Sequence, residues 1–170
     1  IIYGGSLAYY SMASDEIHLP VREDFYNMQE FYSTALHEMG HSTGHETRLN
    51  RPLNADMGSE EYAMEELRAE IASVFMEQDF GIDVDENAVR NSGAYVGSWK
   101  AAIKDDPNAL FTAIADADKI AKYVLQKEAE MKRDAYAEEE KSEVYMLPCV
   151  AAGLAVSAAE EKREGVMETR

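Results

Sequence analysis

At 170 residues the chain is long enough for one hydrophobic core and too short for two independent enzymes. Apolar residues make up 46%, which excludes a disordered composition. Sixteen Lys plus Arg stand against 33 Asp plus Glu, a net charge of −17, so this stretch alone repels phosphate backbones and docks no nucleic acid.

Cys149 is the only cysteine. Neither an intrachain disulfide nor a thiolate metal cluster is therefore possible, which fits a reducing cytoplasm. The longest apolar stretch, 144–158, is broken by Pro148 and Gly153 and falls short of the ~20 residues of a membrane span. The chain opens at Ile1 with no initiator Met and no basic leader, as expected of an excised or trimmed domain.

Three short β-like pieces come first: Ile1-Ile2-Tyr3, Ala8-Tyr9-Tyr10 and Glu16-Ile17-His18-Leu19, closed by Pro20. With Gly4-Gly5 and Ser14-Asp15 as turns, they predict a small antiparallel sheet. From Asn27 to Thr43 the period becomes helical, with Met28, Phe31, Tyr32, Ala35, Leu36 and Met39 on one apolar side. His37 and His41 fall together on the opposite side, and Gly44 offers a stop.

After a loop over 45–58, Ser59 is a good N-cap for a second helix running to Phe80 and closed by Gly81. Ala63, Leu67, Ile71, Val74 and Phe75 are its expected core stripe. Glu66 and Glu70 lie along one flank, and Glu65 points away from them. A third helix is expected over 86–104, anchored by Tyr95, Trp99 and Ile103. Asp106-Pro107 starts a fourth, carrying Leu110, Ile114, Ala117, Ile120 and Val124. Residues 1–135 are thus expected to form the domain, and 136–170 a charged linker with an unassigned tail.

The chemistry concentrates at His37-Glu38-Met39-Gly40-His41. Histidines at i and i+4 of a helix point the same way and can share one metal ion. Glu38, turned to the edge of that face, can reach a metal-activated water as general base without being a ligand. This pattern points to zinc-dependent peptide hydrolysis. A catalytic zinc wants a third protein ligand. Glu66 is favoured, with Glu70 supporting a zinc-bound histidine from behind. The reverse assignment and His45 remain open, and position 47, where an HExxHxxGxxH zincin has its third histidine, is Thr47.

These residues resemble a known family. The matching segments are Ala8-Tyr9-Tyr10, Asp15 to Pro20, Phe25, Phe31 to His41, Thr43-Gly44-His45 with Arg48-Leu49 and Arg51, Tyr62 to Glu70, and Tyr95 to Trp99. Together they are similar to the C-terminal zincin-like metallopeptidase domain of ArdC-type antirestriction proteins of bacterial mobile genetic elements. The resemblance implies an α+β, zincin-like fold, mostly helical with the small N-terminal sheet. It also implies a single-stranded-DNA-binding domain upstream, and a role in protecting incoming DNA. It gives the strand Asp15 to Pro20 the task of pairing with extended substrate as a sheet edge. Tyr62, Tyr95 and His45 become candidate donors to the transition state.

Three readings follow. In one, the chain is a gluzincin-like zinc metallopeptidase acting on a protein or peptide, with His37, His41 and Glu66 on Zn2+ and Glu38 as base. In another, it is a catalytically silent zinc-bearing module that masks a host restriction factor. The third is a regulatory domain that acts on DNA only when joined to its upstream partner. Intact Glu38 favours the first, since a purely structural site needs no general base.

Overall fold

The computed structural model describes residues 1–83, 99, 106 and 108–164, from 139 onward by backbone alone. Its elements are β1 (Ile2–Tyr3), β2 (Tyr9–Ser11), β3 (Glu16–Leu19), a 3-10 turn at Arg22–Asp24, α1 (Met28–Ser42), α2 (Glu60–Phe80) and α3 (Ala109–Glu164). The chain divides into two compact units, Ile1–Gln126 and Lys127–Arg170. The fold is α+β and mostly helical, as the sequence implies.

Helix ends fall where side chains cap them. Asn27 accepts from the Glu30 N–H, Ser59 accepts from the Tyr62 N–H, and Gly81 closes α2 at φ 66°. That last backbone conformation suits a residue without Cβ. Glu60 and Glu61 place negative charge against the positive end of α2.

The sheet is mixed, not purely antiparallel. Its order is β1-β3-β2, with β2 antiparallel and β1 parallel to β3. Burial explains the order: β3 alternates, sinking Ile17 and Leu19, so it takes the centre, while β1 is exposed along its length. β2 and β3 form the hairpin, turning at Asp15 with φ 53°. The strand expected as a substrate-pairing edge is therefore internal, and β1 and β2 are the edges.

Two apolar clusters hold the first unit. Ile17, Leu19 and Phe31 fasten the sheet to α1, with Phe25 edge-on to Phe31. Leu36, Ala72, Met76, Ala117, Ile120, Ala121 and Val124 join α1, α2 and α3. The helical stripes are rotated from the simple expectation. Met28, Tyr32, Val74 and Ile114 are exposed, and Ala69, Ala72 and Met76 are buried instead. The cause is that α2 is covered on two sides, so its inner faces carry small residues. At Gly40 an added Cβ would stand 3.4 Å from Ala69 Cα, which marks the close approach of α1 to α2.

The expected helix over 86–104 lies outside the described residues apart from Trp99. The run 138–143, expected as linker, lies within α3. Its glutamates and Lys141 are good helix formers, and a charged run is as compatible with a solvated helix as with a loop. Among the described residues, no helix is long and apolar enough to cross a membrane.

The rotated stripe makes a direct prediction. Met76→Ala should cost about 2–5 kcal/mol, whereas Val74→Ala should stay within about 0.5 kcal/mol. Urea denaturation of the two variants would check this, and equal losses would put the α2 core face elsewhere.

Candidate metal centre

His37 and His41 sit one turn apart on α1, and the close approach at Gly40 brings the carboxylates of α2 over them. Their Nε2 atoms face each other at 3.1 Å. Glu66 Oε2 lies 3.6 Å from His37 Nε2, and Glu66 Oε1 lies 3.5 Å from His41 Nε2. One ligand atom from each of the three lies within 4.8 Å of the others. The far nitrogens have carboxylates as well. His37 Nδ1 is 3.2 Å from Glu70 Oε2, and His41 Nδ1 is 3.4 Å from Glu65 Oε1.

This pattern tests whether a metal fits. With each Nδ1 turned to a carboxylate, both Nε2 atoms and the Glu66 oxygens converge on one point. Two neutral imidazoles with one carboxylate are donors that zinc accepts, so a metal fits here. Without one, a proton on His37 supplies the positive charge. Burial works against its charge, yet hydrogen bonds to Glu66 and Glu70 and the nearby Glu38 lift its pKa to about 10.

Glu38 is buried, outside this donor set, and lines the cleft that the donors open into. Burial pushes its carboxyl above the ordinary range, against the pull of His37 and His41. The Tyr10 backbone N–H on β2 donates to it. A carboxylate raised in this way is better matched to taking a proton near neutrality.

Glu65 departs from the helical reading. It is buried and turned into the site, where the Arg51 guanidinium grips it at 3.1 Å through Nε and 2.7 Å through Nη2. The same guanidinium donates to the Gly40 carbonyl at 2.9 Å and to Thr43 Oγ1 at 2.8 Å. Burial raises the Glu65 carboxyl, but the hydrogen bonds from His41 and Arg51 outweigh it and hold it below its usual range. A single apolar stripe could not reveal this. The available signal was Arg51, a cation in the loop just ahead of a helix whose first turns are acidic.

The remaining candidates separate. Tyr62 lines the cleft and its hydroxyl hydrogen-bonds Glu66. His45 is not brought to the donor set; its Nδ1 lies 2.9 Å from Thr47 Oγ1, on the loop that turns away after α1. Tyr95 lies outside the described residues. The cleft, of about 280 Å³, runs between β2 and the loop after α1, walled by Tyr9, Tyr10 and Met12 on one side and by Pro52, Leu53 and Ala55 on the other.

Known proteins match this arrangement. The sequence profile of the family MPTase-PolyVal, a zincin-like metallopeptidase, matches residues 1–116. Two proteins of Escherichia coli, each named DNA primase TraC, are 49% and 50% identical over 118 and 121 residues, which is 69% and 71% of this chain. The uncharacterized protein y4eC of Sinorhizobium fredii (strain NBRC 101917 / NGR234) is 34% identical over 79% of the chain. The chain spans only 11%, 8% and 43% of these relatives. Among solved structures, the antirestriction protein ArdC from plasmid R388 superposes in its Mn(II)-bound form with a TM-score of 0.64 at 35% identity. That match covers 74% of this chain and 46% of ArdC. The metal-free form gives 0.65 at 34% identity, over 76% of this chain and 46% of ArdC. The chain thus belongs to the zincin-like metallopeptidase family, with a domain of the ArdC type.

Proposed function

We propose that the chain is the hydrolytic domain of a cytoplasmic antirestriction protein carried by a mobile genetic element, and that it cleaves peptide bonds with a bound zinc ion. The observation that carries this reading is Glu38: a buried carboxylate with a raised pKa, beside the His37–His41–Glu66 donors but not one of them.

His37, His41 and Glu66 would hold the metal, with Glu70 and Glu65 fixing the two imidazole rings by their Nδ1 hydrogens. When bound, zinc supplies Lewis acidity to water and to the scissile carbonyl. Glu38 takes the proton of the attacking water and passes it to the leaving amine. Tyr62, already hydrogen-bonded to Glu66, stabilises charge on the carbonyl oxygen. Substrate lies extended along the free edge of β2, whose Tyr9 and Tyr10 line the cleft. The substrate is a protein or peptide, and nucleic acid would be the business of a separate upstream domain.

Protein purified without added metal should hold about one zinc per chain, and His37→Ala should lose it. Glu38→Gln should keep the metal while hydrolysis falls at least ~100-fold. A Glu38→Gln protein that retained the full biological effect would replace the peptidase reading with that of a module that masks a host restriction factor.

Metal binding should also release protons. The His37 pKa of about 10 stands above its ordinary value of 6.5, so without metal the ring is charged across neutral pH, whereas a metal takes only the neutral ring. Between pH 7 and 9 zinc binding should therefore release about one proton, and apparent affinity should rise about tenfold per pH unit. Calorimetry in buffers of different ionisation heat reads this, and a pH-independent affinity would contradict the site.

Arg51→Ala should leave the buried Glu65 carboxylate poorly compensated, costing about 3 kcal/mol of stability. It should also weaken zinc about 10- to 100-fold by loosening the support of His41. Urea denaturation and a chelator competition check the two effects separately.

A further inference from the structure

We propose that the cleft takes basic peptides, with lysine or arginine on both sides of an apolar residue at the scissile bond. The proposal rests on the peptidase reading and adds the substrate class.

The charge of the chain is distributed unevenly. Lys100 is the first lysine, and residues 1–83 hold sixteen acidic side chains but only four arginines. Each of these arginines is committed within the protein. Arg48 meets Asp15 at 3.1 Å, Arg51 meets Glu65 at 2.7 Å and Arg68 meets Asp116 at 3.0 Å. Arg22 lies 5.1 Å over the Phe31 ring. Among the described residues, no lysine or arginine lines the cleft to receive an acidic substrate side chain.

Uncompensated acids, in contrast, stand next to the cleft in the chain. Asp56 follows the lining residue Ala55, and Glu60 and Glu61 precede the lining residue Tyr62. All three are exposed, and among the described residues none is in an ion pair. Inside, the walls of Met12, Pro52, Leu53 and Ala55 are apolar. Leu53 keeps its place because position 44 lacks a side chain: a Cβ on Gly44 would come within 2.7 Å of Leu53 Cδ2. The cleft is lined by Glu38, Glu65 and Glu66 as well as by these apolar residues, and a concave surface with acids on it and beside it in the chain favours the opposite charge. The occupant that matches is an apolar side chain between the walls, flanked by cations at the rim. An acidic peptide meets repulsion that no lysine or arginine among the described cleft residues offsets.

The test uses the full chain as Glu38→Gln loaded with zinc, so that bound peptide stays intact. Short fluorescent peptides of equal length, with leucine at the centre and flanks of lysine and arginine, of serine, or of glutamate, are titrated by anisotropy. The basic peptide should bind about tenfold more tightly than the acidic one at low salt, and the gap should close near 1 M salt, where the screening length falls to about 3 Å. In the same background, Asp56→Asn with Glu60→Gln and Glu61→Gln should weaken the basic peptide several-fold at unchanged zinc content. Equal binding of acidic and basic peptides, or a preference that ignores salt and these three substitutions, overturns the proposal. The wild type then separates the two claims. Cleavage of serine- and lysine-flanked peptides at equal rates leaves the peptidase standing and removes the basic preference. Selective, salt-sensitive binding of the basic peptide with no cleavage removes the peptidase and leaves the acidic surface.

Discussion

The contact between Gly40 of α1 and Ala69 of α2 is the constraint on which the site depends. At that point an added Cβ would touch the facing backbone, so the two helices run close enough for short side chains to span the gap. His37 and His41 flank Gly40 on α1, and Glu65, Glu66 and Glu70 flank Ala69 on α2. A larger residue at either contact position would push the helices apart and leave the carboxylates short of the rings, whatever the sequence of the ligands themselves.

Such an arrangement buries charge, and buried charge must be compensated. The inner face of α2 is acidic: Glu65, Glu66 and Glu77 are all buried. Glu66 and Glu70 turn to the histidines, and Glu65 turns to both His41 and Arg51. Arg51 also closes the end of α1 through the Gly40 carbonyl and Thr43. One guanidinium therefore ties the loop after α1, the C-terminal turn of α1 and the acidic helix together. Among the described residues, Glu77 has no such cation, and burial pushes its carboxyl upward.

The same feature explains what could be read from the amino-acid sequence. Helix ends were legible because capping is local: Asn27, Ser59 and Gly81 act on groups within one turn of themselves. The i and i+4 histidines were legible for the same reason, as were Glu66 and Glu70 as a pair of carboxylates along one flank of α2. Glu65 was not, because a helical wheel with one apolar stripe assumes one buried side, and α2 has two. The place of β1 was not legible either. Its pairing with β3 depends on which strand sinks Ile17 and Leu19 against Phe31, a contact between residues far apart in the chain. His45 looked close to the metal along the chain, but the turn after Thr43 directs it toward Thr47.

Reassigning the edge strand from β3 to β2 ties substrate placement to the state of the base. The Tyr10 N–H reaches Glu38, and the Tyr10 hydroxyl donates to Asp15 at 2.7 Å, which Arg48 holds in turn. Arg48 is itself anchored on the Ser42 carbonyl, at the end of α1, at 2.7 Å. β2 is thus tied through the Tyr10 N–H to Glu38, and through the Tyr10 hydroxyl, Asp15 and Arg48 to the end of α1. On the proposed peptidase reading, a peptide pairing with β2 would be set in register with Glu38 by backbone hydrogen bonds, independent of its side chains. Selectivity among peptides would then come from what lies beyond the backbone: the apolar residues around Leu53 and the acids in and beside the cleft.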